Sequence, residues 1–127
     1  MAGGLTLDTG ALIAMERRDR RARALVRLAL QRGVTVTAPM PAIVEWWRGG
    51  RAQAKLLGGI VREPLHEPLA RVAGEALGRM RGARPSLCDL VVVVSAATRG
   101  DTVLTSDLDD LTRIRDAAGL DVRLLRV

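Results

Sequence analysis

The chain has almost no aromatic residues: Phe and Tyr are absent from its 127 residues, and the two tryptophans, Trp46 and Trp47, stand side by side. That scarcity disfavours holding single strands by stacking bases on aromatic platforms, and it leaves a core to be built from Leu, Val and Ala. Cysteine is reduced to Cys88, so no intramolecular disulfide can form, and with His66 as the single histidine a Cys/His zinc site lacks ligands. No apolar stretch approaches the ~20 residues of a membrane-spanning helix. The start, Met-Ala-Gly-Gly-Leu-Thr-Leu-Asp, has no basic segment followed by an apolar one. The expectation is a soluble, cytoplasmic protein with no membrane association. Dinucleotide and phosphate-loop glycine motifs are missing, as are a Gly-x-Ser-x-Gly elbow and a Cys with a His partner. A receiver domain would want paired acids after the first strand and a late lysine, and Lys55, the one lysine, is misplaced for it.

What remains is apolar and basic. Apolar residues make up 48% of the chain, which argues against disorder, and the length fits a single domain over 1–127. The net charge of +6 comes almost wholly from arginine. Guanidinium forks match phosphate oxygens, so a polyanionic partner is plausible; the alternative is a general bias for Arg over Lys that leaves ordinary solvated helix faces.

The pattern predicts alternating strands and helices. Leu5 to Asp8 reads as a buried strand closed by Asp-Thr-Gly, followed by an amphipathic helix over 20–32 with Ala24, Leu25, Leu28 and Ala29 inward, stopped by Gly33. A strand follows at 34–38, then a Pro-opened helix carrying Glu45, interrupted at Gly49-Gly50 before a helical piece at 51–57. A strand weakened by Pro64 is expected at 60–65 and a helix at 68–80. Residues 87–97 are ambiguous, because four consecutive valines favour a strand while Ser86-x-x-Asp89 suggests a capped helix. Helix is preferred, since it restores alternation before the strand at 102–105. A helix over 107–118 ended by Gly119 and a strand over 122–127 complete an α/β fold: a three-layer α/β/α sandwich with a mostly parallel sheet. Its functional crevice should lie beyond the carboxyl ends of the strands.

Four acids, Asp8, Glu45, Asp89 and Asp107, fall at strand ends or early helical turns in apolar surroundings. Each has a bland explanation: Asp8 as an N-cap, Glu45 as a helix-surface residue, Asp89 as the second half of a capping box with Ser86. Ser106-x-x-Asp109 repeats the capping pattern beside Asp107. Jointly they mean more, because helix starts that follow parallel strands face one end of the sheet. Carboxylates gathered there call for a cation, and an all-oxygen set suits Mg²⁺ or Mn²⁺. The Thr9-Gly10 turn should supply amides that orient Asp8. Trp46 and Trp47 point about 100° apart on a helix and cannot fill one site. Either one faces a partner or both pack under the 51–57 segment.

Leu-Asp-Thr-Gly-Ala-Leu-Ile-Ala at 7–14, Ile-Val-Glu at 43–45, Asp89 opening an apolar helix, and Val-Leu-Thr-Ser-Asp-Leu-Asp-Asp-Leu at 103–111 together resemble the PIN-domain ribonucleases, and more narrowly the VapC-type toxins of toxin–antitoxin pairs. The likeness runs end to end, with the first and last motifs the more specific. It departs where Leu90 and the valine run follow Asp89, a place where many relatives carry smaller residues. The resemblance implies a PIN-like fold and metal-dependent cleavage of RNA by a metal-activated water. Asp8, Glu45, Asp89 and Asp107 match the family's four acidic positions. It further implies a metal or capping role for Asp110, and polar support from Thr105 and Ser106. It also implies a homodimer and a cognate antitoxin whose tail enters the acidic groove. Arg17, Arg18, Arg20 and Arg21, with Arg23 and Arg27, are candidates for steering RNA. The competing reading is a non-catalytic module whose acidic crevice docks a basic partner segment.

Overall fold

The computed structural model describes residues 3–127. Strands β1 (Leu5–Leu7), β2 (Val36–Pro39), β3 (Val61–Glu63), β4 (Thr102–Thr105) and β5 (Arg123–Arg126) form one sheet in the order β3-β2-β1-β4-β5. Every pairing is parallel, with Leu7 opposite Leu104 at the centre. Helices α1 (Thr9–Glu16), α2 (Arg20–Gln31), α3 (Met40–Trp46), α4 (Arg51–Leu56), α5 (Glu67–Arg79), α6 (Leu87–Arg99) and α7 (Leu108–Ala118) connect them. The α/β architecture is as expected, with the sheet parallel throughout.

Helix α6 resolves the ambiguity of the valine run. Leu90 to Ala96 are all buried, because α6 lies on β1, β2 and β4 and is flanked by α5 and α7. A helix covered on every side has no polar stripe to betray its period. Fully burying each valine gains roughly 1.5–3 kcal/mol, which exceeds the few tenths that a β-branched residue costs in a helix. Ser86 caps its start by accepting from the Asp89 amide at 3.1 Å, and Gly100, at φ 74°, ends it.

Several expectations are corrected. Two helices stand between β1 and β2 where one was expected. The unforeseen α1, TGALIAME, buries Ala11, Leu12 and Met15 but is apolar on most sides, so it carries no amphipathic signature. In α2 the inward residues are Ala22 and Val26, with Leu25 and Ala29 half-buried, whereas Ala24 and Leu28 are exposed; the face is rotated from the one expected. Strand β2 starts at Val36, β3 is limited to three residues, and β5 spans Arg123–Arg126. Trp46 is buried and donates its indole N–H to Glu16, but Trp47 is 38% exposed, so the two do not both pack beneath 51–57.

A buried polar cluster ties α6 to the sheet. Arg99 donates to Asp101 at 3.0 Å, to Ser95 at 2.6 Å and to Thr6 at 2.7 Å, and pairs with Glu63 at 2.7 Å. Asp101 also accepts from the Thr6 hydroxyl and the Gly4 amide, both at 2.7 Å. No helix of the described residues is long and apolar enough to cross a membrane.

Candidate metal centre

The strand order reverses between β1 and β4, and the loops leaving their carboxyl ends carry Asp8 and, after Thr105, Ser106 and Asp107. Such a switch point is where an open parallel sheet forms its crevice. Asp8 is 3% exposed and both its oxygens are fixed. Oδ1 accepts from the Ala11 amide at 2.7 Å, which makes Asp8 the N-cap of α1, and Oδ2 accepts from the Thr105 hydroxyl. The orienting amide is therefore that of Ala11, one residue beyond the Thr9-Gly10 turn. Thr105 accepts in turn from the Asp107 amide at 2.8 Å, so one hydroxyl links the two acid-bearing loops.

Above Asp8, carboxylate oxygens of Asp89, Asp107 and Asp110 all lie within 4.8 Å of one another. Asp107 is the N-cap residue of α7 by position, but its side chain makes no cap bond. The N-cap position of α7 is thus Asp107, not Ser106 as the Ser106-x-x-Asp109 pattern suggested, and the Asp107 carboxylate faces Asp110. Ser106 has a different role: its Oγ lies 1.8 Å from where a Cβ on residue 10 would sit, so the two loops close only because residue 10 is glycine.

Glu45 lies on the α3 side, outside the three-acid group. It accepts from the Thr9 hydroxyl at 2.8 Å. Thr9 also contacts the Cys88 sulfur at 3.7 Å. Cys88 is the neighbour that sequence reading missed; its sole signal was adjacency to Asp89. Burial, then the Glu45 carboxylate, push its thiol up to about 12, so it stays neutral and unreactive.

The electrostatics of the group are those of crowded like charges. Burial first, and then the carboxylates of Asp89 and Asp107, raise Asp8 from 3.8 to about 6, against the lowering effect of Thr105 and Ala11. Asp89 is raised by burial and by Asp107, Glu45 and Asp110, and Asp107 is raised by desolvation and by Asp110. No arginine or lysine is paired to any of these five acids among the described residues. An all-oxygen set with no internal counter-charge fits a hard divalent cation, which would be held by Asp89, Asp107 and Asp110 with Asp8 beneath.

No family model and no curated protein matches the chain. Solved structures do. A crystal structure of VapBC2 from Rickettsia felis bound to a DNA fragment from their promoter matches with a TM-score of 0.70 at 15% identity, covering 97% of this chain and 98% of that one. FitAB bound to an IR36 DNA fragment matches with a TM-score of 0.63 at 20% identity, covering 96% and 94%. FitAcB from Neisseria gonorrhoeae matches with a TM-score of 0.59 at 21% identity, covering 95% and 96%. At these identities the likeness shows the fold, which is the PIN-like α/β arrangement expected from the motifs.

Proposed function

We propose that the chain is a metal-dependent endoribonuclease and the toxin of a toxin–antitoxin pair, acting in the cytoplasm as one domain over residues 1–127. The observation that carries this reading is the convergence of Asp89, Asp107 and Asp110, next to buried Asp8, with no internal cation. The motifs that resemble VapC-type toxins, and a fold shared with VapBC2 and FitAB assemblies, support the toxin role. A net charge of +6 supports a polyanionic substrate, and RNA is the one the resemblance implies.

In this reading Asp89, Asp107 and Asp110, with Asp8 beneath, would hold Mg²⁺ or Mn²⁺, and Glu45, held to one side by Thr9, would flank the ion. When bound, the ion supplies a Lewis acid that activates water and offsets phosphate charge in an in-line displacement. The chain's own work is placement. Thr105 and the Ala11 amide fix both oxygens of Asp8, Thr9 fixes Glu45, and Ser106 closes the loop against Gly10. Arg17, Arg18, Arg20 and Arg21 stand where α1 gives way to α2, and Arg21 donates to the carbonyl of Arg126, the last residue of β5, so this basic corner lies at the carboxyl end of the sheet. There it would draw the RNA backbone in, with a salt-dependent affinity. The exposed apolar residues Met40, Val44 and Trp47 on and beside α3 offer a surface for a second copy or the antitoxin.

The test is cleavage of total RNA by purified protein in Mg²⁺, Mn²⁺ or EDTA, alongside the Asp8→Asn and Asp107→Asn variants. Metal-dependent cleavage lost in both variants is expected. Cleavage that persists in them would overturn the catalytic assignment, and metal binding without any cleavage would favour a docking module.

A further inference from the structure

Next to the loops that carry the acids lies a hollow of about 290 Å³ that holds none of the proposed metal ligands, lined by Gly10, Ile13, Ala14, Arg17, Asp19 and Ser106. Two of its walls belong to the crevice, since Gly10 follows Asp8 and Thr9, and Ser106 sits between Thr105 and Asp107. From there it runs along α1. At about 1.5 Å rise per residue, Arg17 stands about 10 Å beyond Gly10.

The far wall has an unusual backbone. Helices α2, α6 and α7 end in the same hydrogen-bonded turn, with Gly33, Gly100 and Gly119 in the left-handed conformation. Helix α1 ends in that turn too: the Arg18 amide donates to Met15 at 3.1 Å and the Asp19 amide to Ala14 at 2.9 Å. Here, however, the left-handed residue is Arg18, at φ 62°. Glycine is the low-strain choice at such a position, and a side chain held there is a cost that sites of function tolerate.

The chemistry of the lining selects a ligand. Ile13 and Ala14 give an apolar floor for a base. Asp19 uses Oδ1 to cap α2, accepting from Ala22 at 2.8 Å, which leaves its other oxygen without a partner among the described residues. Arg17 is exposed and makes no ion pair among the described residues. A carboxylate oxygen and a guanidinium facing one hollow complement a base edge with adjacent N–H donors and carbonyl acceptors. Guanine has both, with O6 and N7 suited to arginine.

We propose that this hollow is a base subsite for the nucleotide flanking the scissile phosphate and that it prefers guanine, with Asp19 accepting from the base N–H groups and Arg17 donating to O6 and N7. The inference rests on the ribonuclease reading, and two experiments separate the fates of the two. In the first, a degenerate RNA is cut by wild type, Asp19→Asn and Arg17→Gln, and the bases flanking each cut are sequenced. Guanine enrichment on the order of tenfold at one flanking position is expected for wild type, falling severalfold in either variant. Asp19→Asn retains a capping oxygen, and Arg17 is exposed, so both should fold.

In the second, guanosine, adenosine and cytidine 5′-monophosphates are titrated into metal-free protein by NMR. Guanosine monophosphate should shift the Gly10, Ile13 and Ser106 amides most. Cleavage without flanking preference, or a preference unchanged in both variants, would overturn the subsite and leave the nuclease standing. Selective shifts with guanosine monophosphate from a protein that cuts no RNA would retain the subsite and remove the nuclease. No shifts and no cleavage would remove both.

Discussion

Two groups of carboxylates sit around the same sheet and are treated oppositely. Glu63 and Asp101 share Arg99, with Ser95, Thr6 and the Gly4 amide filling the remaining positions. Burial alone would push Glu63 up, but the Ser95 hydroxyl and the Arg99 guanidinium outweigh it and hold the carboxyl below its usual value. At the crevice, Asp8, Asp89 and Asp107 meet one another in place of a cation, and all three are raised. A chain with 20 cationic residues has the means to neutralise that group and does not. Acids that serve the fold are compensated from within; those at the crevice are not, as the proposed metal site requires.

The largest effect that would break this contrast is kinetic. Asp107→Asn should lower metal-dependent RNA cleavage by about 10²–10³-fold with little change in melting temperature, because asparagine keeps an oxygen at the cap position of α7 and removes a charge that faces Asp110. An equal loss from Arg99→Met at unchanged stability would show that the two clusters are not functionally distinct. For that variant the expectation is instead a loss of about 3 kcal/mol in urea unfolding, since Glu63 and Asp101 would be left unpaired in partly buried surroundings.

Next in size is a pH effect at Asp8. Its carboxyl is raised from 3.8 to about 6, so its contribution to stability is fully present below the lower value and is lost as pH rises through the upper one. That loss is on the order of 3 kcal/mol for the metal-free protein. Asp8→Asn cannot ionise and keeps an oxygen for Ala11, but it cannot accept from Thr105 in the same way. It should therefore be more stable than wild type by about 1–2 kcal/mol at pH 8 in EDTA, with the advantage vanishing near pH 4. Saturating Mg²⁺ should reverse the order, as it stabilises wild type alone. Matching urea midpoints for wild type and Asp8→Asn at pH 8 in EDTA would remove the claim that burial and the neighbouring carboxylates disfavour an ionised Asp8.

The smallest effect is steric. Gly10→Ala would place a Cβ 2.9 Å from that of Ser106 as well as against its Oγ, costing about 1–2 kcal/mol by thermal melting and displacing the loop that carries Asp107. Ser106→Gly in the same chain should restore most of that loss.

The sequence revealed some of this better than the rest, for physical reasons. Alternation of strands and helices was legible because β1, β2 and β4 are short apolar runs bounded by turn residues, and the capped start of α6 outweighed the strand preference of its valines. The face of α2 was not legible: arginine stems pack as well as leucine side chains do, so Leu28 points outward while Ala22 and Val26 turn in. Helix α1 gave no period because it is apolar nearly all round. At the crevice, the acids could be enumerated but not ranked. Asp110, one turn beyond Asp107, joins Asp89 and Asp107 in the tight group, whereas Glu45 is held to one side by Thr9. Linear spacing carries no information on which carboxylates meet where the neighbouring helices α6 and α7 begin, or on the neutral Cys88 thiol beside Thr9 and Glu45.

The most direct test of the external-charge account is calorimetric titration of the metal-free protein with Mn²⁺ at pH 7.5, repeated at pH 5 and with Asp89→Asn and Asp107→Asn. Saturable binding in the micromolar range, weaker at pH 5 and lost in both variants, is the predicted result. No binding up to millimolar Mn²⁺, or binding that both variants retain, would contradict it.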